Sequence, residues 1–179
     1  MNNLIKICIL IFSTSLVYSE SISIMSINAQ NLFDTIDDKG KDDKAFLPIE
    51  QKQSKEHKIS CNSITVKRWR MECFFQDWDE ETKNAKLNNL LEVIVSYDSN
   101  GADVIGLQEI ENMNILKQLY DLLEPFGYKD FYLLESTDKR GVDTAFISKY
   151  EITNPKLHYV NFSPEFETCL LYTSDAADE

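Results

Sequence analysis

Between Gly101 and Asn112 the chain reads GADVIGLQEIEN, the stretch that most restricts what it can fold into. Val104, Ile105 and Leu107 form an apolar, β-rich run, too short for a helix and opened by Gly101. The stretch reads as a turn, a short buried strand and then a helix start, with Glu109 exposed at the join. In an open sheet covered by helices, ligands collect beyond the carboxyl ends of strands, where the backbone turns outward into a crevice. A carboxylate at that position is placed to hold a hard cation such as Mg²⁺, which prefers oxygen ligands.

The flanking sequence supplies the covering helices. From about Glu81 to Ser96, Leu87, Leu90, Leu91, Ile94 and Val95 recur at helical spacing on one face. Ile115, Leu116, Leu119, Leu122 and Leu123 predict a second amphipathic helix, stopped by Pro125 and Gly127. A strand is predicted from about Ile22 to Ile27, ending in a loop that carries Asn28. Phe131 to Leu134 and Thr144 to Ser148 read as two more, joined by the polar turn Glu135 to Gly141, and His158 to Phe162 as another. Strands alternating with helices, followed by strands in succession, predict an α/β fold with a mixed sheet flanked by helices. At 179 residues the chain holds one such domain and hardly two.

The first residues read as a targeting segment. Lys6 precedes an apolar run from Ile7 to Val17, then Tyr18, Ser19 and Glu20, the layout of a secretory signal cleaved near Ser19. The run is short for a permanent bilayer span, and a retained lipid-facing anchor is the weaker reading. The expectation is a secreted or periplasmic protein with no stable membrane association after signal removal. In that compartment Cys61 and Cys73 are candidates for a disulfide; two buried free thiols or a metal pair are the alternatives.

Net charge is −12, and discounting Lys6 of the signal and the acidic residues of the tail described below leaves −10. So acidic a surface argues against broad, salt-sensitive docking on nucleic-acid phosphates. A phosphodiester substrate stays open, because a bound divalent cation reverses the local field. The segment Asp34 to Ser60 is polar and reads as a long surface excursion. Its cluster Asp37, Asp38, Asp42 and Asp43 lacks the spacing of a calcium loop and reads as a solvated charge run. Cys61 to Trp78 mixes Trp69, Phe74, Phe75 and Trp78 with Lys67, Arg68 and Arg70. Two readings fit it: a surface that stacks on bases or sugars, or a locally packed subdomain stapled by the two cysteines.

Three elements in order carry a resemblance. They are SINAQNLFD at the first strand, K-L-x-N-L-L-x-V-I leading into GADVIGLQEIEN, and KRGVDTAFISKY. Together they resemble the endonuclease/exonuclease/phosphatase superfamily, which includes deoxyribonuclease-I-like nucleases, abasic-site repair nucleases and lipid or sugar phosphatases, and among these its exported bacterial members. The resemblance spans about Ile22 to Phe166, with an insertion over about 34–80. It implies a four-layer α/β/β/α sandwich, of which this chain would form half. It also implies that Glu109 binds the catalytic Mg²⁺ or Mn²⁺ and that Asn28 orients that carboxylate and the scissile phosphate. Taken alone, Glu109 reads equally as a helix N-terminal residue and Asn28 as a turn former. Arg140 with Asp143 either approaches substrate, or Asp143 is structural. Substrates implied are nucleic acid or small phosphodiesters and phosphomonoesters; nothing in the sequence sets the oligomeric state.

The sequence also departs from the family. A strand-borne histidine, a Gly-Asp-x-Asn motif and a final Ser-Asp-His belong to the family's second half, and none occurs here; the two histidines are His57 and His158. One carboxylate and one asparagine do not supply a general base, a complete metal site and leaving-group help together. From Cys169 the chain reads CLLYTSDAADE, which resembles translated adapter sequence, so residues 169–179 are expected to be non-native. The expectation is an N-terminal fragment, inactive by itself, of a metal-dependent phosphodiesterase. The alternatives are an exported phosphatase on small phosphorylated compounds and a non-catalytic binding module that uses the Trp69 to Trp78 region.

Overall fold

Buried Ile105 and Leu107 and their cross-strand neighbours Ile147 and Ala145 organise the centre of the protein. In the computed structural model, which describes residues 21–156 and 158, four strands form one mixed sheet: β1 (Ile24–Leu32), β2 (Val104–Ile110), β3 (Asp130–Leu134) and β4 (Asp143–Ser148). Their spatial order is β1-β2-β4-β3. β1 runs parallel to β2, and β4 is antiparallel to both β2 and β3. The signal-like segment over 1–19, the strand read from His158 to Phe162 and the tail over 169–179 lie outside the described residues.

Four helices accompany the sheet: α1 (Lys55–Ser63), α2 (Lys67–Phe75), α3 (Glu80–Ser96) and α4 (Met113–Leu123). α3 starts where the Asp79 side chain accepts the Thr82 amide, and α4 where Asn112 accepts the Ile115 amide, so both first turns have a capped donor. α3 and α4 cover one face of the sheet. Leu87, Ile94, Ile115, Leu116, Leu119 and Leu123 pack there against Ile105, Leu107, Ala145 and Ile147. Burying one such leucine or isoleucine stabilises the fold by about 1.5–3 kcal/mol.

The opposite face has no helix among the described residues. It carries the row Ser26, Gly106, Phe146 and Tyr132, and beside it Ile24, which is 76 % exposed. One sheet with helices on one side is the α/β half-sandwich predicted above. No helix among the described residues is long and apolar enough to cross a membrane.

Three local readings are corrected. β1 does not end at Ile27: it continues to Leu32, and Asn28 still pairs with Gln108 inside the ladder. The polar stretch after Asp34 is not one loop to Ser60, since Ser54 caps α1 through the His57 amide and His57 and Cys61 are buried on that helix. The acidic run is not uniformly solvated either, because Asp43 is buried. The Cys61 and Cys73 sulfurs are 2.00 Å apart, a disulfide joining α1 to α2. The His57 ring nitrogen Nε2 lies 2.9 Å from the Cys73 carbonyl oxygen, which accounts for a buried histidine without catalytic work.

Candidate active site

A regular β2 would send Glu109 inward. Ile105 and Leu107 face the helices, and strict alternation gives the next inward place to residue 109. Instead Ile110 is buried there, because Glu109 is an inserted residue with a left-handed backbone, φ +62°. The pairing shows the insertion on both flanks. β4 advances one residue from Thr144 to Asp143 while β2 advances two, and β1 advances four residues from Asn28 to Leu32 against the same two. Such bulges bend a strand and re-aim a side chain. Gln30 and Asn31, opposite, are also left-handed at φ +53° and +63°. For side chains other than glycine each such residue costs about 1–2 kcal/mol. Three left-handed residues thus meet where β1 and β2 end.

The carboxylate so displaced is held by its neighbours. Asn28 Nδ2 donates to Glu109 Oε1 at 3.0 Å, and the Asn31 amide donates to Oε2 at 3.0 Å. Asn28 Oδ1 in turn accepts the Gln30 amide at 2.7 Å, which fixes the asparagine amide's orientation. Lys86 of α3 donates to the carbonyl oxygens of Gln30 and Asn31, the latter at 3.1 Å, and lies 5.5 Å from the Trp78 ring centroid. Burial lowers the Lys86 ammonium from its usual range, and the negative Glu109 opposes that shift. Among the described residues no lysine or arginine forms an ion pair with Glu109.

Asn28 and Glu109 line a cavity of about 710 Å³. Arg140 reaches the same cavity from the β3–β4 turn; its guanidinium pairs with Asp138 at 2.9 Å. Asp143 does not line it. That carboxylate is buried and accepts the Ser136 amide at 2.6 Å, closing the turn that carries Arg140. The far wall comes from α2, where Trp69 is 49 % exposed and Arg68 pairs with Glu72 at 2.9 Å. Trp78, by contrast, packs edge-on against Phe46 and donates its indole N–H to the Phe33 carbonyl. The basic and aromatic segment is thus divided: Trp78 belongs to a packed core and Trp69 to the cavity.

Glu109 is therefore inside the strand and half-buried rather than exposed at a helix start, which removes the helix N-terminal reading; α4 begins only at Met113. Two residues here had no role in the sequence reading, Lys86 and Glu111. Lys86 opens the K-L-x-N-L-L-x-V-I motif, and its usable signal was a cation ahead of an apolar helical stripe. Glu111 is buried, and its Oε2 accepts the Asp34 amide at 2.6 Å. Burial pushes its carboxyl up to about 8, and Asp43 up to about 6.

The donor set suits a hard divalent cation. Glu109 offers carboxylate oxygens at the edge of an open cavity, with room for water and phosphate oxygens, and Mg²⁺ is commonly bound through one or two carboxylates plus substrate phosphates. A family model described as Endonuclease/Exonuclease/phosphatase family matches residues 72–166, just over half the chain. The match takes in Glu109, Arg140 and Asp143, while Asn28 precedes it. No curated protein and no solved structure matches the chain.

Proposed function

The chain belongs to the endonuclease/exonuclease/phosphatase family, whose enzymes are in general metal-dependent hydrolases of phosphate esters, and on that premise we propose that it carries the metal-binding half of a phosphodiesterase site of nuclease type. The observation that carries the reading is the Glu109 carboxylate, turned out of the core by a double bulge and held by Asn28 and the Asn31 amide beside a large cavity. Backbone strain of this kind is retained where it positions a functional group.

Glu109 would hold Mg²⁺ or Mn²⁺, which when bound neutralises phosphate oxygens and the leaving group during in-line attack by water. Asn28 keeps the carboxylate in one orientation, the kind of outer contact that tunes a metal ligand. Arg140 supplies positive charge on the cavity wall, and Trp69 an exposed ring on which a base or sugar stacks. Those two residues favour an extended phosphodiester over a small phosphomonoester.

Neither histidine is placed as a general base, since His57 is buried against Cys73 and His158 does not line the cavity, whereas the carboxylates of Asp42 and Glu72 do line it. The proposed activity is that of an exported protein. The signal-like segment and the disulfide support export. The test is Glu109→Gln in the full-length protein, with plasmid DNA and an activated phosphodiester as substrates. Loss of Mg²⁺- or Mn²⁺-dependent cleavage is expected, and unchanged cleavage overturns the assignment.

A further inference from the structure

A second carboxylate cluster lies beyond Glu109. The loop after β1 folds back so that carboxylate oxygens of Asp38, Asp43 and Glu111 lie within 4.8 Å of one another. Asp43 is 1 % exposed, and its Oδ1 is buried with no hydrogen-bond partner among the described residues. An orphaned buried carboxylate oxygen is costly unless a hydrogen-bond donor or a cation meets it. No lysine or arginine does so: among the described residues none forms an ion pair with Asp38, Asp43 or Glu111, and Lys44 bonds Asp37 instead at 3.1 Å.

The neighbouring hydrogen bonds preform the arrangement. Asp43 Oδ2 accepts the Asp38 amide at 2.7 Å, Glu111 Oε2 accepts the Asp34 amide at 2.6 Å, and Asp38 Oδ2 accepts Asn112 Nδ2 at 3.2 Å. Each of the three carboxylates is thereby anchored through one oxygen, and Asp43 Oδ1 is left for a ligand. We propose that Asp38, Asp43 and Glu111 form a structural calcium site, separate from the Glu109 site, that clamps the loop after β1 to the junction of β2 and α4. Calcium fits better than magnesium. It takes six to eight oxygens from carboxylates and backbone carbonyls in flexible geometry, whereas magnesium demands near-ideal octahedral geometry, keeps several waters and is seldom held by an all-protein cage. The clamp bears on the active cavity, because Asp42 of the loop lines it and Glu111 is two residues from Glu109.

The test is calorimetric titration and thermal melting of the full chain, stripped with chelator, in a Glu109→Gln background that removes the other carboxylate site. Expected results are stoichiometric Ca²⁺ binding and a melting temperature raised by about 5 °C or more at saturating CaCl₂. Asp43→Asn is expected to abolish both and to leave the calcium-free chain no less stable, since an unpaired buried charge is removed. Should Asp43→Asn fail to fold, half-exposed Asp38→Asn carries the same test: a Ca²⁺ response at least tenfold weaker in affinity supports the site. An undiminished response in either variant, no response in the parent, or an equal response to MgCl₂ overturns it.

Discussion

Asn28 and Glu109, 81 positions apart in sequence, are joined by a 3.0 Å hydrogen bond from the asparagine amide to the carboxylate across the β1–β2 pair. The bond exists because both strands are irregular at that point, each with left-handed residues where a regular ladder would carry none. Asn28→Ala removes the donor while the Asn31 amide still holds Oε2. On the proposed function, the expected outcome in the full-length protein is a loss of about 10–100-fold in metal affinity or activity, the usual effect of losing a contact that orients a metal ligand. Asn28 is exposed, so stability should change by no more than about 1 kcal/mol. Mg²⁺ dependence of cleavage, measured beside a denaturant titration, separates the two effects.

Glu109→Asn offers a complementary test of the strain. Asparagine tolerates the left-handed region better than glutamate, so the backbone at φ +62° is relieved while the carboxylate is lost. Cleavage should fall by at least about 100-fold with stability unchanged or slightly raised, the signature of a residue kept for function at a cost to the fold. A marked drop in melting temperature would instead make Glu109 a structural residue.

The apolar spacing that gave the helices and strands also concealed the site. Leu107 and Ile110 are three apart, which reads as the first step of a helical period; in the fold it is a strand with one residue inserted, and Ile110 recovers the inward place. Leu32 and Phe33 continue the core past Asn28, but the polar Gln30 and Asn31 between them look like a loop because the bulge needs residues that accept positive φ. α1 is polar along most of its length and is held by a cap, a disulfide and two buried residues, none of which gives a periodic signal. The meeting of Asp38 and Asp43 with Glu111 is long-range and leaves no local trace at all. What was legible was the α/β order and the carboxylate at the end of β2; what was not is how far the chain bends to present it.

The disulfide permits a sharper prediction about the cavity wall. Cys61 and Cys73 close a loop with a sequence separation of 12, for which chain-entropy arguments give about 2–3 kcal/mol. Reduction, or paired replacement by serine, should lower stability by that amount. The loss should fall on α1 and α2 first, since the β1–β2–β4 core does not depend on the bond. Hydrogen exchange after reduction should therefore rise over 55–75 with β2 and β4 still protected. Trp69 fluorescence should report the opening of the cavity in the same experiment.

Tyr128 sets the last prediction, at the turn that leads into β2. Its hydroxyl is buried and donates to the Ala102 carbonyl at 2.7 Å, and it stands where a Cβ on Gly101 would collide with it. Burial, with the Asp103 charge adding to it, pushes the phenol up to about 12 from 10.0. The folded state thus keeps the proton longer than the unfolded chain, so this contribution to stability is whole below pH 10 and is lost as pH rises towards 12. Tyr128→Phe should cost about 1–2 kcal/mol at neutral pH, by leaving the Ala102 carbonyl without that donor, and should flatten the decline over pH 10–12. Gly101 has φ +74°, so Gly101→Ala carries both backbone strain and the collision. In the Tyr128→Phe background the strain and the milder contacts with Ile94 and the ring Cζ of residue 128 remain, and Gly101→Ala should cost at least about 1 kcal/mol less than in the parent. Denaturant titrations of the four proteins measure that coupling, and strict additivity would show that the hydroxyl does not hold the turn.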